Sequence, residues 1–129
     1  MKKVFLGGTI SKNDYRAELI PSLIIGYFNP LVPNWTPAHQ AEEIKQRGEC
    51  DILLYVITPE MTGVYSIAEL TEDAITKPEK TVFAFWNSPE IEYTAKQIAS
   101  LEMVAALIGK YGAKTFRNQA DLVQYLNSL

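Results

Sequence analysis

Glu69 is the side chain in this sequence whose type and position are best suited to chemistry. It lies in TGVYSIAEL (residues 62–70), shortly after the apolar run DILLYVI (residues 51–57). At a helix start, the positive end of the helix dipole favours the anionic carboxylate that a nucleophile requires. The pattern Ser66-x-x-Glu69 is also a capping box, in which both residues would only complete a helix end. The sequence therefore leaves a nucleophilic role and a structural role open for Glu69.

A glycine-rich segment, GGTIS (residues 7–11), follows the first apolar run of the chain. Glycine has no Cβ, so the backbone amides of Gly7, Gly8 and Thr9 could approach a phosphate or a sugar closely. The spacing matches neither the dinucleotide-binding G-x-G-x-x-G pattern nor a P-loop. A tight exit from a strand explains the two glycines equally well.

Other residue types with chemical potential are sparse. Trp35 in PNWTP (residues 33–37) could stack on a nucleobase or a sugar, or it could cover the following helix as a hydrophobic plug. His39 is the only histidine and Cys50 the only cysteine, which is too few for a metal cluster. We therefore predict no metal, no cofactor and no cysteine chemistry.

Composition restricts the class of protein. A chain of 129 residues with 47% hydrophobic content fits one domain, residues 1–129. The net charge is -3 and the basic residues are scattered, which argues against a nucleic-acid partner. One cysteine forms no internal disulfide, and no segment has the roughly 20 apolar residues that span a bilayer. We expect a soluble cytoplasmic protein with no membrane partner.

Apolar runs alternate with segments of helical period, as in βαβ units around a parallel sheet. Strands are predicted at residues 3–7, 27–29, 51–58, 81–86 and 114–116. Helix starts are predicted at Asn13, Thr36-Pro37, Ser66, Ser88-Pro89 and Asn118. The predicted ends of these helices include Leu23, Arg47 and Ile108.

These elements predict an α/β fold, a flavodoxin-like three-layer sandwich with a five-stranded, mostly parallel sheet in the order 2-1-3-4-5. Ligands of such sheets bind outside the carboxyl ends of the strands. The residues that this rule selects for substrate binding are Gly7, Gly8, Thr9, Trp35, Thr58, Gly63, Ser66 and Asn87, with Glu69 beside them.

Two segments, VFLGGTIS (residues 4–11) and CDILLYVITPEMTGVYSIAEL (residues 50–70), together resemble a known family. They are similar to the nucleoside 2-deoxyribosyltransferase superfamily, in its divergent 2-deoxyribosyltransferase-like branch. The shared features are a glycine-rich exit from strand one, an aspartate before an apolar third strand, and a helix start that bears the catalytic glutamate. The resemblance implies that Glu69 attacks the anomeric carbon of a 2-deoxyribonucleoside or its nucleotide.

The sequence departs from that family at two positions. Active transferases usually have an aspartate six residues before the glutamate, where this chain has Gly63, and often a tyrosine in strand one, where it has Phe5. The leaving base still needs an acid. Glu60 is the substitute acid that we predict by location, and Glu43 is a further carboxylate that fits the family pattern loosely.

The resemblance implies a small-molecule partner, a nucleoside or nucleotide, and a homo-oligomer in which the apolar helix at residues 91–108 could form an interface. Burial inside the monomer explains that helix equally well. Three alternatives stay open. They are a 5′-deoxynucleotide N-hydrolase, a non-catalytic nucleotide-binding module, and a domain in which Glu69 only completes a cap.

Overall fold

The computed structural model describes residues 2–129. All five strands are parallel and their order is β2-β1-β3-β4-β5, which confirms the predicted flavodoxin-like α/β fold. The strands are β1 (Lys3–Gly8), β2 (Gly26–Phe28), β3 (Ile52–Ile57), β4 (Thr81–Phe85) and β5 (Lys114–Phe116). The helices are α1 (Tyr15–Leu19), α2 (Pro37–Glu49), α3 (Tyr65–Thr76), α4 (Ala95–Gly109) and α5 (Gln119–Asn127).

The sheet separates two hydrophobic cores, because successive side chains of a strand point to opposite faces. Every residue of β3 is buried, as expected for a central parallel strand covered on both sides. On one face Tyr55 and Ile57 pack with residues of α3 and α4, and on the other Leu54 and Val56 pack with residues of α1 and α5. No helix within residues 2–129 is long and apolar enough to cross a membrane.

Two predicted helix starts are confirmed. The Thr36 side chain accepts a hydrogen bond from the backbone N–H of His39 at the start of α2, with Pro37 in the first turn. The Asn118 side chain accepts from the N–H of Asp121 at the start of α5. In both helices a short polar side chain satisfies an amide that has no partner inside the helix.

The helix starts predicted at Ser88-Pro89 and at Asn13 are wrong. The long helix α4 begins at Ala95, because Thr94 and Gln97 form a complete capping box. Ser88 instead donates its hydroxyl to the carbonyl of Ile91 within the loop that follows β4. The first helix is capped by Asp14 rather than Asn13, and it tightens into a 3-10 turn (Ile20–Ser22) at Pro21.

The apolar helix that could serve as an interface is divided between the core and the surface. Leu101, Ala105 and Ile108 are buried in the core, whereas Ile98 and Leu107 are exposed.

Candidate functional site

The predicted capping box at Glu69 does not form. Helix α3 begins at Tyr65, and Val64 occupies the N-cap position without a side-chain hydrogen bond to the helix. Ser66 donates its hydroxyl to the carbonyl of Gly8 at the end of β1, over 3.2 Å. Glu69 therefore lies in the second turn, beyond the first turn where the helix dipole acts most strongly, and it caps nothing.

The partner of Glu69 is an arginine on the neighbouring helix. Nη1 of Arg47, on α2, lies 3.4 Å from Oε2 of Glu69, and the Glu69 side chain keeps 18% of its surface exposed. Arg47 also donates through Nη2 to the carbonyl oxygen of Glu69 and to the exposed carboxylate of Glu72. The guanidinium of Arg47 thus contacts both the side-chain carboxylate and the backbone carbonyl of Glu69.

Arg47 is itself held in place by a buried carboxylate. Its Nε and Nη2 donate to the two oxygens of Asp73 in a bidentate pair, and each donor lies 3.0 Å from its acceptor. The buried Tyr55 hydroxyl donates to the same carboxylate at a distance of 2.5 Å. Tyr55, Asp73 and Arg47 thus form a fixed network behind Glu69.

Opposing effects set the pKa of Glu69. Burial raises it, Arg47 lowers it, and the carboxylates of Glu43, Asp73 and Glu72 raise it again, so that the pKa lies above its ordinary value of 4.5. The same kinds of effect raise the pKa of the Tyr55 phenol well above its ordinary range, with burial first and the hydrogen bond to Asp73 second. The network therefore keeps Tyr55 protonated, with its hydroxyl as the donor to Asp73.

Glu69 lines an open cavity of about 250 Å³ at the carboxyl end of β1. Glu43 of α2 lines the same cavity, so two carboxylates from different helices share it. A second cavity of about 160 Å³ adjoins it and shares part of its lining. The residues common to both are Gly8, Ile10, Tyr65 and Ser66. Together the two cavities reach the size of small-molecule sites, about 300 Å³ and above.

Comparisons of the chain with protein-family models, with curated proteins and with solved structures find no match.

The two glycines that end β1 are required by the structure around them. Gly8 has a φ of +111°, and a Cβ there would lie 2.1 Å from the carbonyl oxygen of Val56. A Cβ on Gly7 would lie 2.9 Å from the ring of Tyr55. The end of β1 therefore requires glycine at both positions. Because neither residue has a side chain, the cavity beside Glu69 is lined there by backbone atoms.

Several predicted residues lie together at this site. Gly7 and Gly8 line the cavity of Glu69, and Ser66 lines both cavities. Thr9 and Gly63 line the adjoining cavity. The side chain of Thr9 accepts a hydrogen bond from the N–H of Thr58, which ties the ends of β1 and β3 together.

Other predicted residues lie elsewhere. Glu60 lines neither cavity, and its Oε1 accepts a hydrogen bond from Asn13. Thr58 and Asn87 line a third cavity between α1 and α5. Trp35, 60% exposed, lines none of these three cavities.

The sequence reasoning missed the two arginines of the site. Arg47 is separated from its partner Asp73 by 26 residues, so no local spacing reveals the pair. Arg16 is fully buried, donates to the carbonyls of Leu6 and Thr9, and lines the cavity of Glu69. Among residues 2–129, no group of three His, Cys, Asp or Glu side chains is arranged to hold a metal ion.

Proposed function

We propose that this protein cleaves or transfers the N-glycosidic bond of a 2-deoxyribonucleoside or its nucleotide, with Glu69 as the nucleophile. The observation that carries the proposal is the side chain of Glu69, which pairs with Arg47 and lines a cavity instead of capping α3. The resemblance of residues 4–11 and 50–70 to nucleoside 2-deoxyribosyltransferases supplies the substrate class.

The reaction proceeds in two steps. A carboxylate oxygen of Glu69 forms a bond to C1′ of the deoxyribose as the bond from C1′ to the base nitrogen breaks, through an oxocarbenium-like transition state. The base leaves with a proton from an acid. Water or a second base then attacks C1′, and the bond to Glu69 breaks with its electron pair returning to the carboxylate.

Glu43 is better placed than Glu60 to supply the proton. Glu43 lines the same cavity as Glu69, whereas Glu60 lines neither that cavity nor the adjoining one. The charge of Glu43 is also one of those that raise the pKa of Glu69. We therefore assign the acid role to Glu43 within the proposal.

Arg16 favours a nucleotide over a nucleoside as the substrate. Arg16 lines the cavity, and its Nε and Nη1 are bonded to the carbonyls of Leu6 and Thr9, with Asp14 at 2.9 Å from Nη1. Its Nη2 makes no hydrogen bond within residues 2–129. An arginine beside the glycine-rich segment suits a 5′-phosphate, because its N–H groups bind phosphate oxygens well. A deoxynucleotide N-hydrolase is accordingly the second form of the proposal.

The test is base release and base exchange over a panel of deoxynucleosides and their 5′-monophosphates, followed by chromatography. Glu69→Gln keeps the shape of the side chain and removes the nucleophile, so activity is expected to fall by at least about a hundredfold. Glu72→Gln is the matched control, because Glu72 contacts the same arginine but is exposed on α3 outside the cavity. Its activity is expected to stay within about twofold of wild type.

Two results would contradict the proposal. One is wild-type protein that neither releases nor exchanges a base on any member of the panel. The other is a Glu69→Gln variant as active as Glu72→Gln. A nucleotide that raises the melting temperature without turnover would instead support the non-catalytic binding module.

A further inference from the structure

The largest of the three cavities lies on the opposite face of the sheet from Glu69. It measures about 300 Å³ and opens at the carboxyl edge of the sheet. Its lining comes from four places in the chain: residues 13–15 and 18 around the start of α1, residue 58 after β3, residues 86–89 after β4, and residues 118–119 where α5 begins. The proposed reaction at Glu69 uses none of these lining residues.

Thr58 contributes a buried hydroxyl without a partner. The residue is 3% exposed, and its Oγ1 makes no hydrogen bond to any residue in the range 2–129. Thr58 directly follows β3 and lines this cavity, and it also lines a smaller cavity of about 140 Å³ on the side of α4. A buried hydroxyl without a partner destabilises the fold, and a ligand group that hydrogen-bonds to it removes that cost.

The lining identifies the ligand chemistry. Four side-chain amides line the cavity, and an amide both donates and accepts, as a ligand hydroxyl also does. Three of them already make hydrogen bonds inside the protein, but an amide oxygen can accept twice and an amide nitrogen can donate twice, so each keeps capacity for a ligand. The indole of Trp86 adds an apolar ring surface of the kind that contacts the face of a sugar. The four amides belong to Asn13, Asn87, Asn118 and Gln119.

The charges around the cavity disfavour anions. Asp14 and Glu18 line it, and no lysine, arginine or histidine in the described part of the chain does so. Asp14 is paired with the buried Arg16, which leaves Glu18 as the uncompensated charge at the exposed rim. A phosphate would meet that carboxylate without a cation to offset it.

We infer that this cavity is a second small-molecule site, which binds an uncharged, hydroxyl-rich ligand of monosaccharide size. The inference rests on Thr58 and on the amide and indole lining, and it does not depend on the proposed function of Glu69.

Trp86 provides the readout. In a Trp35→Phe background it is the only tryptophan, because the sequence contains two. We would titrate that protein with D-ribose, 2-deoxy-D-ribose, D-glucose and myo-inositol, and with inorganic phosphate and spermidine as charged probes. At least one uncharged probe is expected to give a saturable change in Trp86 fluorescence. Phosphate is expected to give none, and spermidine, which only the exposed charge of Glu18 attracts, is expected to bind more weakly than that uncharged probe.

Two threonine variants separate binding from folding. Thr58→Val is expected to weaken sugar binding by about fivefold or more, the equivalent of one hydrogen bond. Thr115→Val is the matched control, because its Oγ1 is also buried without a partner but lies outside this cavity. Both variants are expected to keep or raise the melting temperature, since each removes an unsatisfied hydroxyl. Gln119→Ala provides a second cavity variant that should weaken binding in the same assay.

Three results would overturn the inference. They are the absence of a saturable response to every uncharged probe, equal binding by Thr58→Val and Thr115→Val, or tighter binding of phosphate or spermidine than of any uncharged probe. Glu69→Gln is expected to leave sugar binding unchanged, so this test succeeds or fails separately from the activity assay.

Discussion

Arg47 of α2 and Asp73 of α3 meet through two parallel contacts of 3.0 Å, Nε to Oδ2 and Nη2 to Oδ1. Asp73 is 2% exposed, so its carboxylate exchanges almost all of its water for these contacts and for the hydroxyl of Tyr55. A buried carboxylate is tolerated only when its oxygens are satisfied in this way. The pair consequently fixes both the position of Arg47 and the distance between the two helices.

Removal of Asp73 should destabilise the fold strongly. Asp73→Ala leaves the Tyr55 hydroxyl and the Arg47 guanidinium without their shared partner, and we expect a loss of roughly 3 kcal/mol in the free energy of unfolding. Tyr55→Phe removes the hydrogen bond that Tyr55 donates to Asp73 and the one that it accepts from Nε of Arg47, and it should cost only about 1–2 kcal/mol. Urea unfolding measures both. Equal losses in the two variants would show that Asp73 does not carry the network.

Arg47 should control the protonation of Glu69. Arg47→Met removes the cation that lowers the pKa of Glu69 and leaves burial and the charges of Glu43, Asp73 and Glu72, which raise it. The pKa is therefore expected to rise further above 4.5. Because a nucleophile must be ionised, the acid limb of the pH–rate profile should move to higher pH. A ¹³C NMR titration of Glu69 checks the pKa without relying on activity.

The control for that titration is Arg47→Lys, which keeps the charge but loses the bidentate geometry. It should give a smaller upward shift in the pKa of Glu69.

The raised pKa of Glu69 also makes the stability of the fold depend on pH. A raised carboxyl pKa means that the folded state keeps this proton to a higher pH than the unfolded state does. Glu69 therefore stabilises the fold below about pH 4.5, and this contribution is lost as the pH rises through the pKa of the folded state. An unchanged pKa of Glu69 in the Arg47→Met variant would contradict the role assigned to Arg47.

Gly63→Asp should increase base release or exchange. Nothing lies within 4 Å of a Cβ built at Gly63, and its φ is not positive, so an aspartate fits without strain. The residue lines the cavity that adjoins Glu69. By the family resemblance, a carboxylate there would hold the base, and we expect a rise in activity of several-fold. Gly63→Asn is the control for shape, and an equal rise in both variants would argue against a role for the charge.

Gly8→Ala should be among the most damaging single substitutions. The left-handed φ and the close backbone of Val56 add strain to overpacking, for an expected cost of at least about 2 kcal/mol. Gly109→Ala is the matched control at the end of α4, where a Cβ meets nothing and a gain of about 0.4–1 kcal/mol is expected. Thermal unfolding compares the two. A tolerated Gly8→Ala would show that the strand exit adapts.

The sequence predicts the sheet well because its signals are local and repeated. Strands β1, β3 and β4 are apolar runs, and right-handed crossovers leave few possible orders. Helix starts are less predictable, since one polar side chain can serve several partners. Ser66 and Ser88 carry capping signatures, yet both donate to carbonyls outside a helix start.

The position of Glu69 at the carboxyl edge of the sheet also follows from the sequence, through the rule for parallel sheets. Its surroundings do not. Arg47, Glu43 and Arg16 approach Glu69 or its cavity from other elements, and only the packing of α1 and α2 brings them there. The division of the predicted residues into separate cavities has the same origin, because Thr58 and Asn87 line the cavity between α1 and α5.

The carbonyl groups at the end of β1 are held by two adjacent side chains of α1. The hydroxyl of Tyr15 donates to Gly7, and the guanidinium of Arg16 donates to Leu6 and Thr9. Each bond fixes the orientation of one peptide plane. This segment is therefore preorganised, and a ligand bound against it would lose little affinity to loop ordering. In calorimetry, the entropic penalty of such binding should come from the ligand and not from the protein backbone.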